Sequence, residues 1–163
     1  MPACFCLGIE LHRKICLVVA GKIFTGFHIL QKLALGADLC NSARGMMFAL
    51  GCIQALKCNT NQCPTGVATQ NNALVKGLVV SNKSQRVANF HRKTVESALE
   101  LLGAAGLHHP SELKPDHIFR RTGLGEMKPL GEIYPCIPEG ALLEKQVPEK
   151  FCADWKKARP DSF

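Results

Sequence analysis

Aromatic side chains are scarce in this sequence: Trp155 and Tyr134 are the only ones of their kind, and with eight phenylalanines they make up 6% of the residues. Proteins that bind single-stranded nucleic acid stack bases on aromatics within a basic groove. Here the net charge is +7, but the 20 lysines and arginines are scattered along the chain. The clustered footprint of a nucleic-acid binder is absent, and no nucleic-acid partner is expected. Long apolar runs are also lacking, so no membrane span is expected, and Arg13 and Lys14 interrupt the early apolar residues where a secretory leader would need an unbroken stretch. The expected location is therefore cytoplasmic. Low-complexity tracts are missing too, and no C-x2-C pair occurs among the cysteines.

What is present is a chain of 163 residues, 47% hydrophobic and 20% charged, which suits one globular core and no more than one domain. Nine cysteines would fit a disulfide framework in a small secreted domain. Without an export signal they are expected to be reduced thiols, and any tight group of them to bind metal or carry redox chemistry. The odd count points the same way.

The first regular unit is "RKICLVVAGK", a compact apolar run ending at Gly21 that reads as a strand buried on both faces, as in a parallel sheet. A helix follows in "FHILQKLALG", where Phe27, Leu30, Leu33 and Ala34 recur at helical spacing and Gly36 ends the pattern. "ADLC" is short enough for a second buried strand. "NSARGMMFALGCIQALKC" then opens with small polar residues before a helical stretch carrying Met46, Met47, Ala49, Leu50 and Ile53. The order is β-α-β-α. Residues 58 to 80 read as loop, and a long helix capped by Ser81 or Asn82 carries an apolar stripe of Val87, Phe90, Val95, Ala98, Leu99 and Leu102 before Gly103 and Gly106. From Pro110 the chain is proline-rich and charged. It predicts at most a short helix near "KPDHIFRR" and a course over the surface without a core of its own.

Two stretches carry chemistry. The βα turns "AGK" at 20 to 22 and "NSARG" at 41 to 45 present small residues where backbone can approach a ligand, and the second leads straight into a helix whose first N–H groups suit an anion. Lys22 and Arg44 would add charge. In (β/α)8 barrels the loops after the last two strands often hold phosphate, so these turns suit the phosphate of flavin mononucleotide. The plainer reading is that Gly21 and Gly45 permit tight turns and that Arg44 is solvated or ion-paired. The second stretch places Cys52, Cys58 and Cys63 in a C-x5-C-x4-C run. Three thiolates on one loop suit an iron–sulfur cluster better than structural zinc, which takes four ligands at closer spacing, although His28 or His91 could supply a fourth. The plainer reading is three unrelated buried cysteines. Cys4 and Cys6 form a C-x-C pair, and Cys16, Cys40, Cys136 and Cys152 read as structural.

The stretch "AGKIFTGFHILQKLALGADLCNSARGMMFALGCIQALKCNTNQCPTGVATQ" closely resembles the end of the FMN-binding synthase barrel of the glutamate synthase family, and the likeness continues through "RVANFHRKTVESALELLGAAGLHHPSEL". It covers residues 15 to 122. The ending, "EIYPCIPEGALL" and later "WKKARPDSF", resembles the C-terminus of stand-alone members without an amidotransferase domain.

The implied fold is α/β: the C-terminal portion of a (β/α)8 TIM barrel, comprising its last two βα units, with a long helix and an irregular C-terminal tail. Residues 1–14 are then a poorly matched N-terminal segment, 15–110 the partial barrel with its cysteine loop, and 111–163 a tail wrapping the barrel. By the same resemblance Ala20, Gly21, Lys22, Ser42, Ala43, Arg44 and Gly45 hold the phosphate of FMN, although Ala20 stands where the family is expected to carry serine. Cys52, Cys58 and Cys63 ligate a 3Fe-4S cluster beside the flavin. The implied function is that of an FMN- and iron–sulfur-dependent oxidoreductase that aminates a 2-oxo acid reductively, 2-oxoglutarate to glutamate, with electrons passing between cluster and flavin. A complete barrel takes about 250 residues. The strands carrying the isoalloxazine contacts and the 2-oxoglutarate site are not in this sequence, and no catalytic residue is assigned. The chain is therefore expected to be a fragment, inactive alone and in need of another chain for the missing strands. A non-catalytic iron–sulfur module and an inert truncated remnant stand as the alternatives.

Overall fold

The computed structural model of the chain describes residues 14–143, 147–158 and 161; all but Lys14 of the N-terminal segment, Cys4 and Cys6 included, lies outside them. Strand β1 (Val18–Ala20) leads into helix α1 (Gly26–Ala34), which returns to strand β2 (Leu39–Asn41). The two strands pair in parallel, with Val18 opposite Leu39, Val19 opposite Cys40 and Ala20 opposite Asn41. This pairing puts both βα turns at one end of the sheet. Thr25 caps α1 by accepting the His28 N–H, and the left-handed Gly36 lies just beyond its end. The Asp38 carboxylate accepts the Leu17 N–H at 2.7 Å, tying the start of β2 to the start of β1.

Helix α2 (Arg44–Leu50) is followed by a long loop, the short α3 (Asn72–Val75) and the 25-residue α4 (Val80–Ala104), against which both α1 and α2 pack. Leu30 of α1 meets Ala98 and Leu102 of α4 in one buried cluster, flanked by Leu107 and Leu113. Each large aliphatic side chain removed from water there contributes about 1.5–3 kcal/mol. After α4 come two 3-10 turns (Pro110–Glu112 and Pro115–His117), an antiparallel hairpin of β3 (Phe119–Gly123) and β4 (Glu126–Pro129), then α5 (Leu130–Ile133) and α6 (Glu149–Lys157). The architecture is mixed α/β. The four strands form two separate two-stranded sheets, and no closed barrel exists among the described residues. No helix is long and apolar enough to cross a membrane among them.

Several expectations need correction. The strands of the parallel pair are not buried on both faces, since Val18 is 51% and Leu39 56% exposed and no third strand flanks them among the described residues. Helix α2 ends at Leu50, leaving Ile53 outside it and 67% exposed. Helix α4 starts before Ser81 and Asn82, with Val79 at the cap position, so neither polar residue caps it. Phe27, Val95 and Leu99 lie on the outer sides of their helices. The region after Pro110 does contribute to the core: Ile118 and the fully buried Leu130 pack with Ala34 of α1, joined by Leu113, Ile133 and Tyr134. Cys16, Cys40, Cys52, Cys58, Cys63 and Cys152 are free thiols, as expected, whereas Cys136 is disulfide-bonded.

Candidate functional site

The βα turns and the cysteine loop are joined by α2, whose seven residues span about 10 Å. At the first turn Gly21 and Lys22 both take left-handed backbone, with φ of 101° and 54°. At the second, the Ser42 hydroxyl donates to the Ile23 carbonyl at 2.5 Å and straps the two turns together. The hydroxyl proton of Ser42 is thereby committed to that carbonyl. Ala43 occupies the cap position of α2 without any side-chain cap. Gly45 is buried, and a Cβ there would lie 2.8 Å from the Ser42 hydroxyl and 3.0 Å from both Phe24 and Phe90. Its lack of a side chain thus serves the packing of α2 onto α4. Ala20, Gly21, Lys22, Ala43 and Arg44 are exposed at this end of the sheet.

Beyond α2 the chain turns sharply. Gly51 is left-handed, its N–H bonds the Phe48 carbonyl, and the Cys52 N–H bonds the Met47 carbonyl at 2.9 Å, which ends the helix and sets Cys52 at the mouth of the loop. Gln54, Leu56 and Asn61 also have φ between 54° and 61°. Such conformations cost non-glycine residues of order 1–3 kcal/mol each, and their concentration in one loop marks it as a functional candidate. The loop is stapled shut at Asn61, whose side-chain oxygen accepts the Gln70 N–H at 2.6 Å while its carbonyl accepts the Thr69 hydroxyl.

Cys52, Cys58 and Cys63 all line one shallow recess, its other walls including Leu56, Pro64 and Thr65. Their surroundings differ. Cys58 is exposed, Cys52 is half-buried and accepts the Gln54 N–H at 3.5 Å, and Cys63 is buried. The Thr65 hydroxyl, followed by the backbone N–H groups of Ala68, Thr65 and Val67, lowers the Cys63 thiol from 9.0 to about 7. Cys63 is therefore substantially thiolate at neutral pH, the form in which cysteine binds metal. Among the described residues no three His, Cys, Asp or Glu side chains converge on a point that would hold a single ion. A cluster requires no such convergence, because each thiolate binds a different iron and the sulfurs stand apart across the cube. His28 is tied instead to Thr25, its Nδ1 lying 2.8 Å from the hydroxyl, and packs edge-on against Phe24.

The sequence reading did not identify Thr65 or the loop N–H groups as sulfur donors. The signal was the "CPTG" string, where proline and glycine bracket a turn.

Parallel βα units, strapped turns at one end of the sheet and a three-cysteine recess one short helix away define a mixed α/β protein. Residues 6–108 match the family model described as the conserved region in glutamate synthase, and the chain belongs to the glutamate synthase family. It is 43% identical over 117 residues to the glutamate synthase large subunit-like protein YerD of Bacillus subtilis, covering 72% of this chain and 22% of that protein. To the NADPH archaeal glutamate synthase of Methanocaldococcus jannaschii it is 35% identical over 117 residues, 71% of this chain and 23% of the relative. With the ferredoxin-dependent glutamate synthase of Cyanidium caldarium it shares 44% identity over 71 residues, 42% of this chain and 5% of that protein. The chain thus spans less than a quarter of the length of each of these relatives.

Proposed function

We propose that this chain is the cluster-bearing and flavin-phosphate-bearing part of a glutamate synthase-type oxidoreductase that aminates a 2-oxo acid, 2-oxoglutarate to glutamate. The observation that carries the reading is the single recess lined by Cys52, Cys58 and Cys63, with Cys63 ionised near neutrality. These thiolates would hold a 3Fe-4S cluster, and Gly21, Lys22 and the segment from Ser42 to Gly45, beside Ala20, would bind the phosphate of FMN. When bound, the two groups supply one-electron transfer and hydride chemistry respectively. The work of this chain is to hold them. Backbone N–H groups at the strapped turns desolvate and orient the phosphate, Arg44 adds a charge-assisted contact, and α2 fixes the separation of the turn from Cys52.

The parallel pair β1–β2 is read as the last two strands of a (β/α)8 barrel. Its exposed Val18 and Leu39 suit burial under further strands, from elsewhere in the polypeptide or from another chain. The whole enzyme is then a cytoplasmic protein, and this part is inactive without its complement.

Anaerobic purification followed by an absorbance spectrum and iron, sulfide and flavin analysis tests this reading. A brown chain with iron and sulfide, which gains tight FMN binding once the barrel is restored by fusion or complex, is the expected outcome. A colourless chain without iron contradicts it, and a brown chain whose restored barrel binds no flavin reduces it to a cluster module.

A further inference from the structure

The three thiols are unequal, and the inequality is built by one turn. Cys63, Pro64, Thr65 and Gly66 form a four-residue turn closed by the Gly66 N–H on the Cys63 carbonyl at 3.2 Å, with proline at its second position and glycine at its fourth. Gly66 is left-handed, with φ of 76°, and a Cβ there would lie 2.4 Å from the Leu74 carbonyl, so the turn packs closely against α3. This fixes Thr65 over the sulfur that begins the turn: its Oγ stands 3.4 Å from Cys63 Sγ. The backbone N–H groups of Ala68, Thr65 and Val67 lie near enough to the same sulfur to lower its pKa as well. Among the described residues Cys52 receives one backbone donor, the Gln54 N–H at 3.5 Å, and no side-chain hydroxyl, and Cys58 is exposed.

We propose that Thr65 is a positioning residue for the cluster ligand Cys63, its hydroxyl donating to the sulfur and raising the reduction potential of the iron held there. The inference rests on the reading of the three cysteines as cluster ligands and goes beyond it by naming what makes one ligand different. A donor on a cluster sulfur stabilises the more negative, reduced state more than the oxidised one, so losing it disfavours reduction. The backbone donors are part of the loop and survive any side-chain change. Thr65 is the component that substitution can remove.

The test uses the full 163-residue chain, loaded anaerobically with iron and sulfide, with midpoint potentials read by spectroscopic redox titration. Thr65→Val should disfavour one-electron reduction about tenfold, a shift of about 59 mV to more negative potential. Thr65→Ser should restore the wild-type value. Thr60→Val should change nothing, because that hydroxyl bonds the Lys57 carbonyl and no sulfur. An unchanged potential in Thr65→Val, or an equal shift in the serine variant, overturns the proposal while leaving the cluster assignment intact. Where the valine variant fails to load, Thr65→Ala is measured in its place. Failure of both with full loading of the serine variant supports the role of the hydroxyl, and equal failure of all three overturns it. A wild-type chain that takes up no iron refutes the cluster assignment itself, before Thr65 is considered.

Discussion

The cysteine loop and the paired βα turns lie one short helix apart, yet they depend on the chain in opposite ways. The loop draws its three thiols, the donors to Cys63, the Asn61 staple and the contact of Gly66 with α3 from residues 51 to 75, and beyond them it leans on the end of α2 through the Cys52 N–H on the Met47 carbonyl. The turns contribute one wall. They are strapped by Ser42 and packed by Gly45, but the sheet beneath them has two strands with exposed apolar residues. A site made by local sequence can be complete in a small part of a protein, whereas a site made at the end of a parallel sheet needs the rest of that sheet.

The largest expected effect separates the two sites outright. Serine at Cys52, Cys58 or Cys63 should abolish iron and sulfide incorporation, while Arg44→Ala should leave both unchanged; loss of iron in Arg44→Ala would show that the sites are not independent. Next, in a restored barrel, Arg44→Ala should weaken FMN binding by about 1.5–3 kcal/mol, roughly 10- to 150-fold, as expected for loss of a charge-assisted hydrogen bond. An unchanged dissociation constant would make Arg44 a surface residue.

A smaller effect probes what holds the loop. Gly66→Ala forces a side chain into left-handed backbone and against the Leu74 carbonyl, and should destabilise the chain by at least about 1 kcal/mol in denaturant unfolding. A neutral result would mean that the turn is not pinned. The smallest is a pH effect on the cluster-free chain. Because the folded Cys63 thiol sits at about 7, below its ordinary 9.0, its ionisation adds stability that is fully present above pH 9 and fades as the pH falls through 7. Thiolate absorbance should show a group ionising near 7 that Cys63→Ser removes; the same titration curve in both proteins would contradict the donor arrangement.

Much of this was readable in the sequence because periodicity and turn residues act locally. The apolar run before Gly21, the stripe ending at Gly36 and the spacing of Ala98 and Leu102 gave β1, α1 and α4 directly. Gly51 did signal the end of α2, but Ile53 continued the helical pattern beyond it and masked the stop. The β3–β4 hairpin escaped because Phe119, Arg120, Arg121 and Thr122 are all exposed and show no alternation of apolar and polar residues. At the site, the three cysteines were legible as a set. The position of Thr65 was not, since it depends on a left-handed Gly66 held against α3, a contact between segments that spacing does not encode.

The central claim is that the recess holds one iron–sulfur cluster on three thiolates. Quantitative iron and inorganic sulfide analysis of the anaerobically loaded chain, beside the variant with all three cysteines changed to serine, tests it most directly. The account predicts about three irons and four sulfides per chain, the composition of a 3Fe-4S cluster, and neither in the variant. Iron and sulfide that persist undiminished in the triple variant, or a wild-type chain that binds zinc alone, would contradict it.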